Sequence, residues 1–326
     1  MSKQEKPKSI NALMKYLRDQ KHISICGTSQ KRKLRNMGYF HGYKGYRFCN
    51  SPQNLFPYTS FNELQVVYSF DLRLKAEMYS QIMFTETALK NYALEVLIKL
   101  SDSETFADIY PKVLNDYQSN RVGSNSYKNA VKRRLVLHNK IYSSIARDYD
   151  NNFIVSHYYD KDDPVPIWAI FESLTLGEFG NLLQCMNVKA RLELSSSLGL
   201  SRADDADGRL TEQLVFILKD LRNAVAHNNV VFDTRFKKQN VSKRIKRYIS
   251  KETGVNNITF ETIVDYIVLI TFIMKKCGCS KNEMKQFVNE FIQLYEELRA
   301  SVPVEIYSKI IHTDTRKKLD TVKSFI

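Results

Sequence analysis

At 326 residues the chain is long enough for about two domains or one large core, and its 43% hydrophobic and 26% charged residues exclude general disorder. With only 11 Gly and 7 Pro it has few breakers, so long helices are expected rather than many short strands. Lys and Arg (49) outnumber Asp and Glu (35), a formal charge of +14 that predicts a polyanionic partner.

The N-terminus is basic but lacks an apolar core and a small-residue cleavage site, so no secretory signal is expected and the chain is placed in the cytoplasm. Ser9 precedes Ile10, Leu13, Met14 and Leu17, the spacing of one buried face on a short first helix. Arg35 to Pro57 then sets Tyr39, Phe40, Tyr43, Tyr46, Phe48 and Phe56 among three glycines, which does not follow an amphipathic helix. It reads either as a surface for stacked bases, with Lys44 and Arg47 for phosphates, or as a small aromatic core, and the second reading is favoured. A domain boundary is expected here, with a basic, aromatic N-terminal region over 1–59 and a helical domain over 60–326.

Ser60 and Glu63 form a capping box, in which each side chain satisfies an orphan backbone donor of the helix start. Thr175 with Glu178 and Ser280 with Glu283 repeat it, and Gly278 is placed to close the helix before the last box. From Met78 onward, Ile82, Leu89, Ala93, Val96 and Leu97 share one arc of a long core helix. Glu86 lies inside that arc, where a carboxylate is costly unless a cation or several donors receive it. Tyr127 to Arg147 reads as a basic helix with Lys132, Arg133 and Arg134 and a buried side of Val131, Leu135, His138, Ile141 and Ile145. Pro166 opens a helix through Trp168 and Phe171.

Between 235 and 251 stand eight basic residues in seventeen, among them Arg235, Lys237, Lys238, Lys243, Arg244, Lys246 and Arg247. This is the densest positive field in the chain and is expected to meet nucleic-acid phosphates. Ile263 to Met274 is very apolar but carries Asp265 and is too short for a bilayer, so a buried helix and no membrane association are expected. Five scattered cysteines without a CxxC pair fit reduced thiols; neither a metal site nor a cofactor is expected.

Chemistry concentrates in Thr211 to Asn229. Leu214, Val215, Leu218, Leu221 and Val225 trace a core helix, while Arg222, Asn223, Ala226 and His227 occupy one arc of about 140°. His exchanges protons near neutral pH and Arg offers a fork of donors for phosphoryl oxygens, a pairing suited to phosphodiester chemistry without a metal. The Arg-to-His spacing alone is loose: about one match is expected by chance and three occur. Arg35 with His41 lies in the glycine-tyrosine stretch, and Arg133 with His138 sets its His on an apolar face. Only Arg222 with His227 combines helix, adjacent Asn and small neighbours, and even there the two residues could merely cap the helix end.

Four stretches, Gly38 to Phe48, Ser69 to Met78 with Glu86 to Asn91, Pro166 to Leu183, and Arg222 to His227, together resemble the Abi-like phage-defence proteins of the AbiD and AbiF type, whose core belongs to the HEPN superfamily of helical ribonucleases. The resemblance implies an all-α antiparallel bundle with extra C-terminal helices, a metal-independent endoribonuclease, and Arg222, Asn223 and His227 as its active-site motif. It further implies a homodimer with a composite site, Glu86 and Lys90 as supporting residues, and RNA as substrate, with a small RNA as inhibitor. At the supporting position four residues after the glutamate the family pattern carries Arg, and this chain has Lys90. Two readings from other classes stand beside this one. The first is a non-catalytic RNA-binding module or RNA-tethered sensor; the second, weaker for lack of a nucleotide-binding loop, is nucleotidyl transfer to a partner.

Overall fold

The computed structural model describes residues 9–326. Among the described residues there are fifteen α-helices, one π-helical turn and one 3-10 turn, and the only β-structure is isolated bridges. In order the α-helices are α1 (Ile10–Lys21), α2 (Gly27–Tyr39), α3 (Phe61–Ser101), α4 (Phe106–Lys112), α5 (Asn125–Asp148), α6 (Phe153–Tyr159), α7 (Ile167–Ser173), α8 (Leu176–Cys185), α9 (Val188–Ser197), α10 (Leu210–Ala226), α11 (Lys243–Thr253), α12 (Ile263–Lys276), α13 (Lys281–Ser301), α14 (Val304–Ile310) and α15 (Thr315–Phe325). The all-α expectation holds. Among the described residues no helix is long and apolar enough to cross a membrane.

Helix starts follow the local chemistry. Ser60, Thr175 and Ser280 each accept from the backbone three residues on while Glu63, Glu178 and Glu283 reach back, and Ser9 caps α1. Gly278, at φ 80°, lets the chain leave α12 through the left-handed region that glycine adopts without cost.

The spine is α3, 41 residues and about 60 Å long. It packs against α13, α9, α10 and α12, while α8 packs on α10 and α5. α12 is the most enclosed helix, buried from Ile263 to Met274. Its Asp265 is fully buried, yet it receives the backbone N–H groups of Thr259 and Phe260 at 2.9 and 2.8 Å and pairs with Lys318 at 2.7 Å. A buried carboxylate is tolerable on such terms.

Two local readings change. Arg35 to Met37 continues α2 as helix, Gly38 at φ 70° then breaks it, and a π-helical turn over Phe40–Lys44 follows. After it Tyr46, Phe56 and Tyr58 are buried, so much of this stretch is the aromatic core. That core is continuous with the rest. On α5 the buried side runs through Ala130, Leu137, Ile141 and Ile145, while Leu135 is exposed. Three consecutive apolar residues, Leu135 to Leu137, leave the phase open, and packing on α7 and α8 selects Leu137. His138 sits among the rings of Phe106, Tyr110 and Tyr142, a structural role as expected.

Candidate active site

Glu86 on α3 and Arg222 on α10 meet where the two helices cross. The Arg222 Nε–H donates to Glu86 Oε2 at 3.2 Å, and Lys90 pairs with Glu86 Oε1 at 3.1 Å. Glu86 is buried, so its charge is compensated by two cations instead of by water. Lys90 also donates to the carbonyl of Leu174 at 2.7 Å, the C-cap of α7, where a cation complements the helix end. The Arg222 side chain stays 30% exposed, which leaves its terminal N–H groups open to a ligand.

His227 follows as the C-cap of α10, exposed, with its backbone N–H on the carbonyl of Asn223 at 3.0 Å. Neither its ring nor the Asn223 amide has a hydrogen-bond partner among the described residues. Arg222 is therefore held, and His227 is free to take up a ligand.

What fixes the chain just beyond His227 is not evident from local sequence. Lys75 on α3 donates to Asn228 Oδ1 at 2.6 Å and to the carbonyl of Asn229 at 3.2 Å. One turn earlier Asp71, fully buried, accepts the backbone N–H groups of Val231 and Phe232, both at 2.9 Å, and the Tyr46 hydroxyl at 2.7 Å, and pairs with Lys75 at 3.0 Å. Desolvation and the Asp71 charge push the Tyr46 phenol far above its ordinary value, so it stays a donor. The signal lay in the pattern: Asp71 and Lys75 share the face of Val67, Leu74 and Met78, charges inside an apolar arc as at Glu86.

The basic residues divide into two groups. Arg134 stacks on the Tyr110 ring at 3.6 Å and donates to the carbonyls of Leu114 and Tyr110. Arg235 pairs with Asp233 and donates to the carbonyls of Gly45 and Phe48, stapling the exit of α10 to the aromatic core. Lys237 pairs with Glu261, and Arg244 with Asp205 and Asp207. Arg244 in turn holds the Asp207 carboxyl down at about 2. These four are spent on the protein itself. Lys44, Lys132, Lys238, Lys243 and Arg247 are exposed, while Arg47, Arg133 and Lys246 are half-buried. The cationic field is thus sparser than the sequence count implies.

Among the described residues no group of three or more His, Cys, Asp or Glu side chains could hold a metal ion. The family model described as Abi-like protein matches residues 32–233, more than half of the chain, and contains every residue of the Glu86–Arg222–His227 arrangement. The chain belongs to the Abi-like family. That membership places the Abi-like chain in the setting of abortive infection, a form of phage defence. Neither a search of curated proteins nor one of solved structures found a match.

Proposed function

We propose that this Abi-like protein is a metal-independent endoribonuclease of the HEPN type, acting in phage defence as a homodimer. The observation that carries the reading is the contrast within one helix: Arg222 is fixed by the buried Glu86, while His227 at the helix end presents an unpaired imidazole to solvent. Phosphodiester transfer needs both, a donor fork for the charge that builds on phosphorus and a group that moves a proton near neutral pH.

In the proposed reaction the ribose 2′-oxygen attacks the adjacent phosphorus as His227 takes up the 2′-proton. Arg222 stabilises the non-bridging oxygens and Asn223 orients the phosphate. The P–O5′ bond breaks, a proton returns to O5′, and the products are a 2′,3′-cyclic phosphate and a 5′-hydroxyl. The attacking hydroxyl belongs to the substrate, so no metal-activated water is required. Two copies of α10 facing each other would complete the site. The likeness to the AbiF type extends the proposal to a small RNA that holds the enzyme in check.

The test is RNA cleavage by the purified full-length protein in the presence of EDTA. The expected result is cutting that leaves cyclic-phosphate ends and is lost in His227→Ala while RNA binding persists. Cleavage only with Mg²⁺, or His227→Ala cutting as wild type does, overturns the proposal; the latter leaves the non-catalytic RNA-binding reading.

A further inference from the structure

Glu86 borders a cavity of about 250 Å³ that the mechanism above does not use. Met83, Leu94, Trp168 and Phe171 supply its apolar lining, and Lys90, Asn91 and Glu172 much of its polar lining. The volume lies below the roughly 300–1,000 Å³ of pockets for drug-sized ligands, so it suits one ring system. Trp168 is the only tryptophan of the chain, half-buried and packed edge-on against Tyr158 at 6.2 Å between centroids. Asn91 and Glu172 are exposed, and neither makes a hydrogen bond or ion pair among the described residues. Lys90 spends two of its three donors on Glu86 and the Leu174 carbonyl.

We propose that this cavity receives one nucleobase of the bound RNA that carries an exocyclic amine, in preference to uracil, with Trp168 as the stacking surface and Glu172 and Asn91 on the hydrogen-bonding edge. The inference rests on the ribonuclease reading and adds a base preference to it. Stacking on an aromatic ring holds any base. The carboxylate supplies selection: ionised Glu only accepts hydrogen bonds, so it matches the exocyclic amines of adenine N6, cytosine N4 and guanine N2 and opposes the O4 acceptor of uracil. Asn offers a donor and an acceptor together, the pair that reads an adenine edge. Because Glu86 holds Arg222 with one oxygen and borders the cavity, a base seated there is a near neighbour of the phosphate that Arg222 grips. The base site and the guanidinium then lie on either side of the Glu86 side chain.

The single tryptophan makes the test direct. Full-length His227→Ala is titrated with oligoadenylate, oligocytidylate and oligouridylate, and Trp168 emission and gel-shift binding are read together. Quenching by the first two that exceeds quenching by the third is expected. In the active enzyme Trp168→Ala lowers kcat/KM about tenfold and Trp168→Phe restores most of it. Glu172→Gln, at an exposed position that leaves folding intact, narrows the preference for adenine over uracil several-fold. RNA that binds without changing Trp168 emission overturns the pocket and leaves the ribonuclease reading standing. Failure of every RNA to bind or be cut overturns both.

Discussion

Glu86 and Arg222, 136 residues apart in the chain, meet at 3.2 Å through the guanidinium Nε and one carboxylate oxygen. The geometry makes Glu86 a positioning residue: it orients the fork that would face a phosphate and leaves the terminal N–H groups unspent. Glu86→Gln keeps an acceptor but removes the charge that aims the guanidinium. A misplacement of about 1 Å costs on the order of 10²-fold in rate. Single-turnover cleavage is therefore expected to fall by about that factor, with RNA affinity little changed. In a double-mutant cycle with Arg222→Lys the two effects should be far from additive, as for residues acting as one unit. Additive effects would show that the Glu86–Arg222 pair plays no part in catalysis.

Lys75 is expected to matter to the same site from a different direction. It ties Asn228 and Asn229, the two residues after His227, and Asn228 sits at φ 53°, a conformation Asn tolerates better than most residues. Lys75→Met keeps the buried stem and removes the ammonium, leaving Asp71 with three neutral donors. Removing one partner of a buried ion pair costs about 3–5 kcal/mol. Because Tyr46 and two backbone N–H groups still serve Asp71, the cost should lie near the lower end. Urea unfolding measures it, and cleavage below the midpoint should fall as well, because the segment carrying His227 is no longer tied to α3.

What could be read from the sequence was local. The capping boxes at Ser60, Thr175 and Ser280 are relations over three residues, and the core arcs of α3 and α10 repeat every turn, so both show in a single sequence. Glu86 stood out as a charge inside an apolar arc, and the structure brings that carboxylate onto the Arg222 guanidinium. The Asp71–Lys75 tie was missed although the same rule applied, because the partners of Asp71 beyond α3, Tyr46 and the Val231 and Phe232 amides, are set by long-range packing. The phase of α5 and the fate of Arg235 and Arg244 were illegible for that reason too: whether an Arg faces solvent or a carbonyl depends on which loop folds over it.

The division of the cations predicts separable effects. Neutralising Lys238, Lys243 and Arg247 to Gln should weaken RNA binding. For single strands, the slope of log K against log salt should shrink by about 0.7 for every phosphate that is no longer neutralised. Arg235→Gln and Arg244→Gln should instead lower the unfolding midpoint and leave that slope nearly unchanged, since both are bound to internal acceptors. Titrations over a salt series, paired with thermal melts, distinguish the groups; equal slope changes for both would refute the division.

His41 supplies a pH dependence. Burial, and then the nearby Lys75 charge, hold its pKa below the ordinary 6.5, with Asp71 opposing them more weakly. The folded state therefore binds fewer protons than the unfolded chain as pH falls through about 6.5. The sign follows: this contribution is fully present above that pH and is lost on acidification toward the lowered folded value. Unfolding midpoints between pH 7.5 and 5 should decline for the wild type, and His41→Gln should flatten part of that decline while lowering stability throughout, because the ring also packs on Tyr46 and Tyr68. An unchanged slope would remove His41 as its source.

Arg191 gives the largest expected destabilisation outside the site. Its guanidinium, with a side chain 4% exposed, pairs with Asp116 at 2.6 Å and donates to the carbonyls of Met186 and Asp207. Gly208, at φ 68°, passes so close that an added Cβ would lie 2.6 Å from the Arg191 Cβ. Asp116→Ala leaves that cation buried with carbonyl partners only, and also releases Arg209, which meets the other Asp116 oxygen at 3.0 Å. The expected cost is about 3–5 kcal/mol in denaturant unfolding. Asp116→Asn, which keeps an acceptor for Arg191, should recover part of it. Because α9 and the turn at Asp116 lie apart from the Glu86–Arg222 crossing, single-turnover cleavage by whatever folded protein remains should match the wild type. A matching fall in rate would show instead that the two regions are coupled through α10.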